Sequence, residues 1–412
     1  MSQPGEQRSF DLPGRSPQRD LQDLLYPVPA EDFLARDYGR NYVHVGGMPG
    51  KFTSLLPWPV LNDILEQHSL EPPRLRLTRE GKAISPDRYL SYQPSRRKSG
   101  NSMARLDATA LTAELRDGAT LVLDNVDELH RPVRHIAESL ERIFRVRVQV
   151  NCYSGWRRSH GFDVHWDDHD VFVLQVAGRK QWKVYGMTRP WPLARDSQPA
   201  ADPPADAMWE GLLEDGDLLY IPRGWWHVAT PLDEPTLHLT VGVNNPTGID
   251  FLSWFVDRMR DAAAARQDLP HLQGADAMQA HAVLLREAIL DAWRPEILDE
   301  YMTHLDRTAR LRPSFALPWS ATPEAMPAGA YTVRWASSRA IPIEAAGEEI
   351  VVAVMGRRWR FRREARPVLD ALLVGGEYSQ SELERIDGDM LSPPVIRSFL
   401  RELATNGLVV IR

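Results

Sequence analysis

Apolar residues recur at steps of four, three, four and three through Leu129, Val133, Ile136, Leu140 and Ile143. That spacing puts them on one face and predicts an amphipathic helix with a buried side. From residue 145 the period changes to two. Val146, Val148 and Val150 alternate with Arg147 and Gln149 and lead into Asn151, Cys152 and Tyr153, as a strand requires. An apolar run at 171–177, the Gly178-Arg179 turn and a strand at 180–185 follow. Residues 187–206 hold five prolines and predict a long surface excursion. Two more strands are expected at 218–221 and 237–243, joined by a turn at 222–227 and a Pro-bearing loop. Strands with Gly/Pro turns, and no helix between residues 145 and 243, point to an antiparallel barrel or sandwich rather than a doubly wound sheet.

The flanks read differently. Upstream, the pattern predicts a short helix near 29–35, strands at 42–45, 74–78 and 120–123, and a helix at 107–115. Downstream, residues 249–311 are helical by pattern and alanine content. Residues 313–327 are Pro-rich. Strands are expected near 331–335 and 350–354, then helices at 366–373, 381–386 and 394–406, and a last strand at 408–411. Ser379 and Ser392 sit where helix caps belong, and Gly407 where a helix stops. Helix, turn, helix and strand in that order form a winged-helix pattern.

Composition narrows the class. The 412 residues are 43% hydrophobic and 25% charged, as in ordinary globular domains, and the net charge of −7 excludes nucleic-acid binding by bulk charge. From residue 357 to the end there are ten Arg, no Lys and eight Asp or Glu. That margin is too slight to carry a phosphate-binding surface. Cys152 is the single cysteine, so neither an internal disulfide nor a Cys-based zinc site can form, which fits a reducing cytoplasm. No run reaches the roughly 18 apolar residues of a membrane span. Residues 1–20 are polar and rich in Pro and Arg and are expected to form a flexible tail.

The candidate chemistry lies in VHWDDHDVFVLQVAGRK, residues 164–180, and GDLLYIPRGWWH, residues 216–227. His165 and Asp167 are two apart and would project together from one strand end. His227, directly after a strand and a Pro-Arg-Gly turn, supplies a second imidazole. Two histidines and one carboxylate make the facial triad of non-haem Fe(II) oxygenases, with coordination positions left open. A His-x-Asp pair alone is common by chance, and His169, Asp168 and Asp170 crowd the same turn. His165 is favoured over His169 because residue 171, two after His169, is Val. Lys180 begins the next strand, and a buried lysine needs an anionic partner to stay charged. Tyr153 and Asn151 share parity on the preceding strand. Thr240 lies on the strand after His227.

These segments resemble the JmjC-type cupin fold of 2-oxoglutarate-dependent oxygenases, and most closely the ribosomal oxygenases, which hydroxylate arginine or histidine side chains of ribosomal proteins. The resemblance implies a mainly β core, a double-stranded β-helix or jelly-roll of JmjC type, with helical additions and a C-terminal winged helix, α+β overall. It implies Fe(II) held by His165, Asp167 and His227. It implies 2-oxoglutarate held by Lys180, Tyr153, Asn151 and Thr240. It also implies a catalytic domain at 21–248, a helical dimerisation region at 249–312, a linker at 313–330 and a winged-helix-like domain at 331–412. The expected reaction is hydroxylation of a protein or peptide side chain with release of succinate and CO₂. The alternatives are the same chemistry on a small molecule or tRNA, or a cupin-like binding or regulatory protein without catalysis. Residues 154–163 and the Trp225-Trp226 pair map onto no particular substrate class.

Overall fold

The computed structural model describes residues 17–93, 103–197, 202–322, 331–386 and 391–412. The chain divides between Asn244 and Asn245 into two compact units.

In the first unit the strands are β1 (Val43–Val45), β2 (Leu75–Arg79), β3 (Lys82–Ala83), β4 (Leu90–Gln93), β5 (Met103–Leu106), β6 (Thr120–Leu123) and β7 (Val148–Gly155). They continue with β8 (Asp170–Ala177), β9 (Lys180–Val184), β10 (Trp209–Leu213), β11 (Leu218–Ile221), β12 (His227–Pro231) and β13 (Thr236–Val243). Helices α1 (Pro17–Leu25), α2 (Ala30–Arg36), α3 (Trp58–Gln67), α4 (Ala108–Arg116) and α5 (Arg131–Phe144) complete it. One antiparallel sheet runs β1-β11-β8-β13-β7-β6-β2-β3, a smaller one runs β10-β9-β12, and β4 and β5 form a separate hairpin. This is the two-sheet antiparallel core that the strand pattern and the resemblance predict.

The apolar run of β8 has a simple cause: both of its faces are covered. Phe172, Leu174 and Val176 pack into the main core with Leu24, Phe33 and Leu140. Val171 and Val173 point the other way, into a second cluster with Trp182, Val184, Leu219 and Trp225 between the two sheets. Helix α5 follows its sequence pattern, with Val133, Ile136 and Leu140 buried in the main core.

Several expectations need correction. Residues 17–20, placed in the flexible tail, belong to α1, and residues 1–16 lie outside the described residues. Helix α1 escapes a periodicity reading because its inner face is partly acidic. Asp20 is buried, accepts a 2.5 Å hydrogen bond from the Ser139 hydroxyl, and lies 3.3 Å from His135 Nε2. Strand β10 was not expected, yet it pairs with β9 along its whole length. Its Trp-Glu-Gly start breaks the alternation. His165 and Asp167 do not sit on a strand either. His165 makes a single isolated bridge to His227, and Asp167 lies in irregular backbone just before β8.

In the second unit, α6 (Gly248–Arg258) starts at a capping box in which Thr247 and Asp250 bond reciprocally. Helices α7 (Ala263–Arg266), α8 (Ala275–Ala292) and α9 (Ile297–Thr308) follow. Phe251, Phe255, Met259, Ile297 and Tyr301 form their small core. Beyond them lie β14 (Thr332–Trp335), β15 (Ile343–Ala346), β16 (Glu349–Val354) and β17 (Arg357–Arg362), then α10 (Arg366–Val374) and β18 (Glu377–Ser379). Helices α11 (Gln380–Ile386) and α12 (Pro393–Thr405) and strand β19 (Val409–Ile411) close the chain. Ser379 caps as expected, its hydroxyl accepting from the Glu382 amide. Ser392 occupies a cap position but makes no side-chain cap bond. Residues 323–330, the end of the expected linker, lie outside the described residues. No described helix is long and apolar enough to cross a membrane.

Candidate functional site

Register decides which side chains of the large sheet face the smaller one. On β13, His238 lies opposite Tyr153 of β7 and Gln175 of β8, and Thr240 lies opposite Asn151 and Val173. On β9, Lys180 and Trp182 alternate inward with Val184, which pairs with His227 of β12. The two inner faces enclose a cavity of about 270 Å³ whose wall includes Tyr153, His165, Asp167, Lys180, His227 and Thr240.

The metal-ligating candidates converge. One ligand atom from each of His165, Asp167 and His227 lies within 4.8 Å of the others. The bridge that holds them is reciprocal: the His227 amide donates to the His165 carbonyl at 2.7 Å, and the His165 amide to the His227 carbonyl at 3.1 Å. Asp167 is tied to the same turn, its carbonyl accepting from the Gly224 amide at 2.9 Å. Gly224 has φ +82, a conformation that favours glycine, so the Pro-Arg-Gly turn has a direct part in placing the carboxylate.

The protonation pattern of the two imidazoles follows from their partners. His165 Nδ1 lies 2.8 Å from the Asp163 carbonyl, and His227 Nδ1 lies 3.0 Å from the Trp225 carbonyl. A carbonyl only accepts, so both Nδ1 atoms carry the proton and both Nε2 atoms present a lone pair. His227 Nε2 stands 3.6 Å from Asp167 Oδ2. Burial and then the neighbouring His165 push the His227 pKa well below the ordinary range, so its ring stays neutral. Two lone pairs and a carboxylate turned toward one point repel each other unless a cation lies between them. The donor set therefore fits a divalent metal with three protein ligands and open positions. His169 takes no part in the cluster. Its Nδ1 is 3.0 Å from Asp168 Oδ1, and its ring packs where a Gly242 side chain would be.

Lys180 stands on the same cavity, 5% exposed. Its ammonium makes no hydrogen bond or ion pair among the described residues, and lies 5.9 Å from the Trp182 ring. Burial brings its pKa down to about 7. A buried cation without a counter-ion among the described residues suits an anionic ligand. Tyr153 lines the same space, and burial followed by the Asp167 carboxylate raises its pKa far above the phenol range. It therefore stays a hydrogen-bond donor at every working pH. Thr240 also faces the cavity.

Asn151 is placed differently from the sequence expectation. Its Oδ1 accepts from the Asn125 amide at 3.0 Å, holding a left-handed residue with φ 52. Its side chain also reaches the Tyr153 hydroxyl. Asn151 thus stands behind Tyr153, in a neighbouring hollow shared with Arg76, and not in the cavity wall. Sequence reasoning missed Arg76, Thr120, Phe162, Trp182 and His238, all of which line the cavity. Parity was the available signal for two of them: Trp182 follows Lys180 by two, and His238 precedes Thr240 by two.

Residues 127–251 match the family described as the JmjC domain. The bifunctional lysine-specific demethylase and histidyl-hydroxylase NO66 of Drosophila persimilis is 28% identical over 226 residues, 54% of this chain and 31% of that protein. Its counterpart in Dictyostelium discoideum is 26% identical over 305 residues, 71% of this chain and 56% of that one. The chain thus spans about a third of the first relative and just over half of the second. Among solved structures, YcfD, a ribosomal oxygenase from Escherichia coli, superposes with TM-score 0.59 at 19% identity over 94% of this chain and 98% of its own. YcfD in complex with cobalt and 2-oxoglutarate gives TM-score 0.57 at 20% identity, over 94% and 99%. Residues 127–251 thus resemble the JmjC domain, and the chain is similar in sequence to the NO66 proteins and shares its fold with the ribosomal oxygenase YcfD.

Proposed function

We propose that this chain is an Fe(II)- and 2-oxoglutarate-dependent hydroxylase that oxidises a side chain of a protein or peptide. The observation that carries the proposal is the convergence of two proton-free Nε2 atoms and one carboxylate beside a buried lysine without a counter-ion. That pairing suits a metal plus a dicarboxylate better than either alone. The neighbours support it, since YcfD has been solved with cobalt and 2-oxoglutarate and with cobalt and succinic acid.

His165, Asp167 and His227 would hold the iron. Lys180 and Tyr153 would meet the far carboxylate of 2-oxoglutarate, Thr240 would line the co-substrate's other side, and Asn151 would steady the Tyr153 hydroxyl. Bound there, Fe(II) and 2-oxoglutarate would, with O₂ as oxidant, supply the oxidation of a C–H bond to an alcohol, one oxygen atom entering the alcohol and the other succinate, with CO₂ released. The chain's own part is orientation and exclusion of water. Val171, Val173, Trp182 and Ala229 supply the apolar part of the cavity wall, beside which charge–charge contacts are stronger than in water. Ribosomal proteins are the first substrates to try, because NO66 carries the name histidyl-hydroxylase and YcfD that of ribosomal oxygenase. Incubated with Fe(II), 2-oxoglutarate and air, one such protein or a short peptide should gain the mass of one oxygen atom. Turnover that hydroxylates only small molecules or tRNA would refute the protein-substrate reading.

The same proposal includes a homodimer through residues 249–312. Helix α8 buries only His281 among its described residues, while Val283, Leu284, Ile289 and Leu290 are 41–58% exposed. An apolar stripe of this kind marks an interaction surface. Val283 and Leu290 are seven apart and share a face. The double variant Val283→Glu, Leu290→Glu should elute as a monomer from a sizing column with light scattering, where the parent elutes as a dimer. A monomeric parent at micromolar concentration would remove this part of the proposal. For residues 331–412, the order α10, β18, α11, α12, β19 supports the winged-helix reading. The lone, buried Cys152 supports a cytoplasmic setting.

A further inference from the structure

One buried polar side chain of the cavity has no role so far. His238 is 3% exposed and lines the cavity. Its ring lies flat on Tyr153, with centroids 5.1 Å apart and planes 6° apart, and meets Trp182 edge-on at 5.6 Å and 77°. Two aromatic neighbours fix the plane of the imidazole, so its polar edge cannot swing aside to find water. Among the described residues neither ring nitrogen has a hydrogen-bond partner, and Nδ1 is wholly buried. An unpaired buried polar group is costly and calls for a partner that arrives from outside. Trp182, on β9 of the facing sheet, repeats the pattern, its Nε1 also buried and without a partner among the described residues.

The groups gathered here share one character. Lys180 Nζ, Trp182 Nε1 and the Tyr153 hydroxyl can all donate, and the one carboxylate of the cavity wall, Asp167, belongs to the metal-ligand cluster. Burial, and next the Lys180 ammonium, hold the His238 pKa well below its ordinary value. The ring is therefore neutral and offers one N–H. Buried polar groups left without partners beside a buried ammonium, as at His238 and Trp182, suit a ligand group with several lone pairs and negative charge.

Resting on the reading of the cavity as a 2-oxoglutarate site, we propose that His238 donates a hydrogen bond directly to the far carboxylate, beside Lys180. In this role His238 selects dicarboxylate keto acids over monocarboxylate ones. Its N–H is satisfied only when the far carboxylate is present, so a ligand lacking that group leaves a buried donor unpaired.

The test is calorimetric titration of the full chain loaded with Mn(II), which does not turn over. The two ligands are 2-oxoglutarate and 2-oxopentanoate, a keto acid of equal length without the far carboxylate. His238→Phe keeps the stacking on Tyr153 and removes the donor. It should weaken 2-oxoglutarate binding roughly 10- to 100-fold, the usual loss for a hydrogen bond to a charged group. Binding of 2-oxopentanoate and of Mn(II) should not change. His238→Gln, which keeps an N–H, should recover much of the loss. The inference is overturned if His238→Phe binds 2-oxoglutarate like the parent, or loses both keto acids alike, which would mark a purely structural role. Should the Phe variant melt below the titration temperature, His238→Leu carries the same comparison. A parent chain that binds neither keto acid, or favours 2-oxoglutarate no more than 2-oxopentanoate, would overturn the dicarboxylate reading itself.

Discussion

Replacing His165 with alanine is expected to abolish conversion of 2-oxoglutarate to succinate and to remove high-affinity divalent metal binding. The reason is the geometry of three ligand atoms within 4.8 Å. Loss of a residue that merely orients a metal ligand costs about 10–100-fold, and loss of a ligand removes more. His165 also closes a backbone bridge to His227. That bridge uses main-chain atoms only, so the alanine variant keeps it and should melt close to the parent. His169→Ala is the internal control. It lies in the same acidic turn but outside the cluster, so it should retain metal. Calorimetry with Mn(II) and a succinate assay check both variants. Parent-level turnover in His165→Ala, or complete loss of metal in His169→Ala with His165 intact, would show that the ligand set is wrong.

The second large effect concerns Lys180 and has two opposite parts. Lys180→Met should weaken 2-oxoglutarate binding at least about 100-fold, because the far carboxylate loses its charged partner. The same variant should raise the stability of the fold by about 1–4 kcal/mol, since a buried charge without a partner is replaced by an apolar chain of similar length. For a compact unit of this size that corresponds to a rise in Tm of several degrees. The pH dependence follows from a folded pKa of about 7, below the ordinary lysine value of 10.5. Between these values the unfolded chain holds the proton and the folded chain does not, so this group's contribution to stability rises with pH across that window. Its full penalty is present below about pH 7. The gain in Lys180→Met should therefore be largest near or below pH 7 and fade toward pH 10. Binding has its own sign. The carboxylate wants the ammonium form, so above pH 7 the parent should take up a proton on binding 2-oxoglutarate. Its affinity should fall as pH rises, and the Met variant should lose this dependence. Thermal melts across pH and titrations in buffers of different ionisation enthalpy would show both. Unchanged 2-oxoglutarate affinity in Lys180→Met would remove the residue from the site.

The parts of this site legible in the sequence were those governed by period and spacing. The change from helical to strand period at residue 145 marks where α5 gives way to β7. The parity of Tyr153 and the position of Lys180 at a strand start put both into the cavity, as expected. Parity failed where the backbone leaves the strand. His165 and Asp167 converge through a turn held by Gly224 and by one bridge, not as neighbours on a strand. It failed again at Asn151, which has the right face but a nearer partner, the Asn125 amide. Short side chains choose local hydrogen bonds that no pattern encodes. Strand β10 and helix α1 were hidden for a different reason: their inner faces carry glycine or acid that only tertiary partners explain. His238 could have been found by counting back two from Thr240. Its importance, however, lies in a missing partner, and a sequence does not display missing partners.

In the proposed reading, this cavity couples an Fe(II) site to a dicarboxylate keto acid. The most direct measurement is aerobic succinate formation from 2-oxoglutarate by the purified chain, with and without added Fe(II) and after chelation, beside the His165→Ala variant. The parent with Fe(II) should form succinate, lose this activity on chelation and recover it when iron is added back, and His165→Ala should form none. Succinate formation that survives chelation, or that proceeds equally in His165→Ala, would contradict that reading.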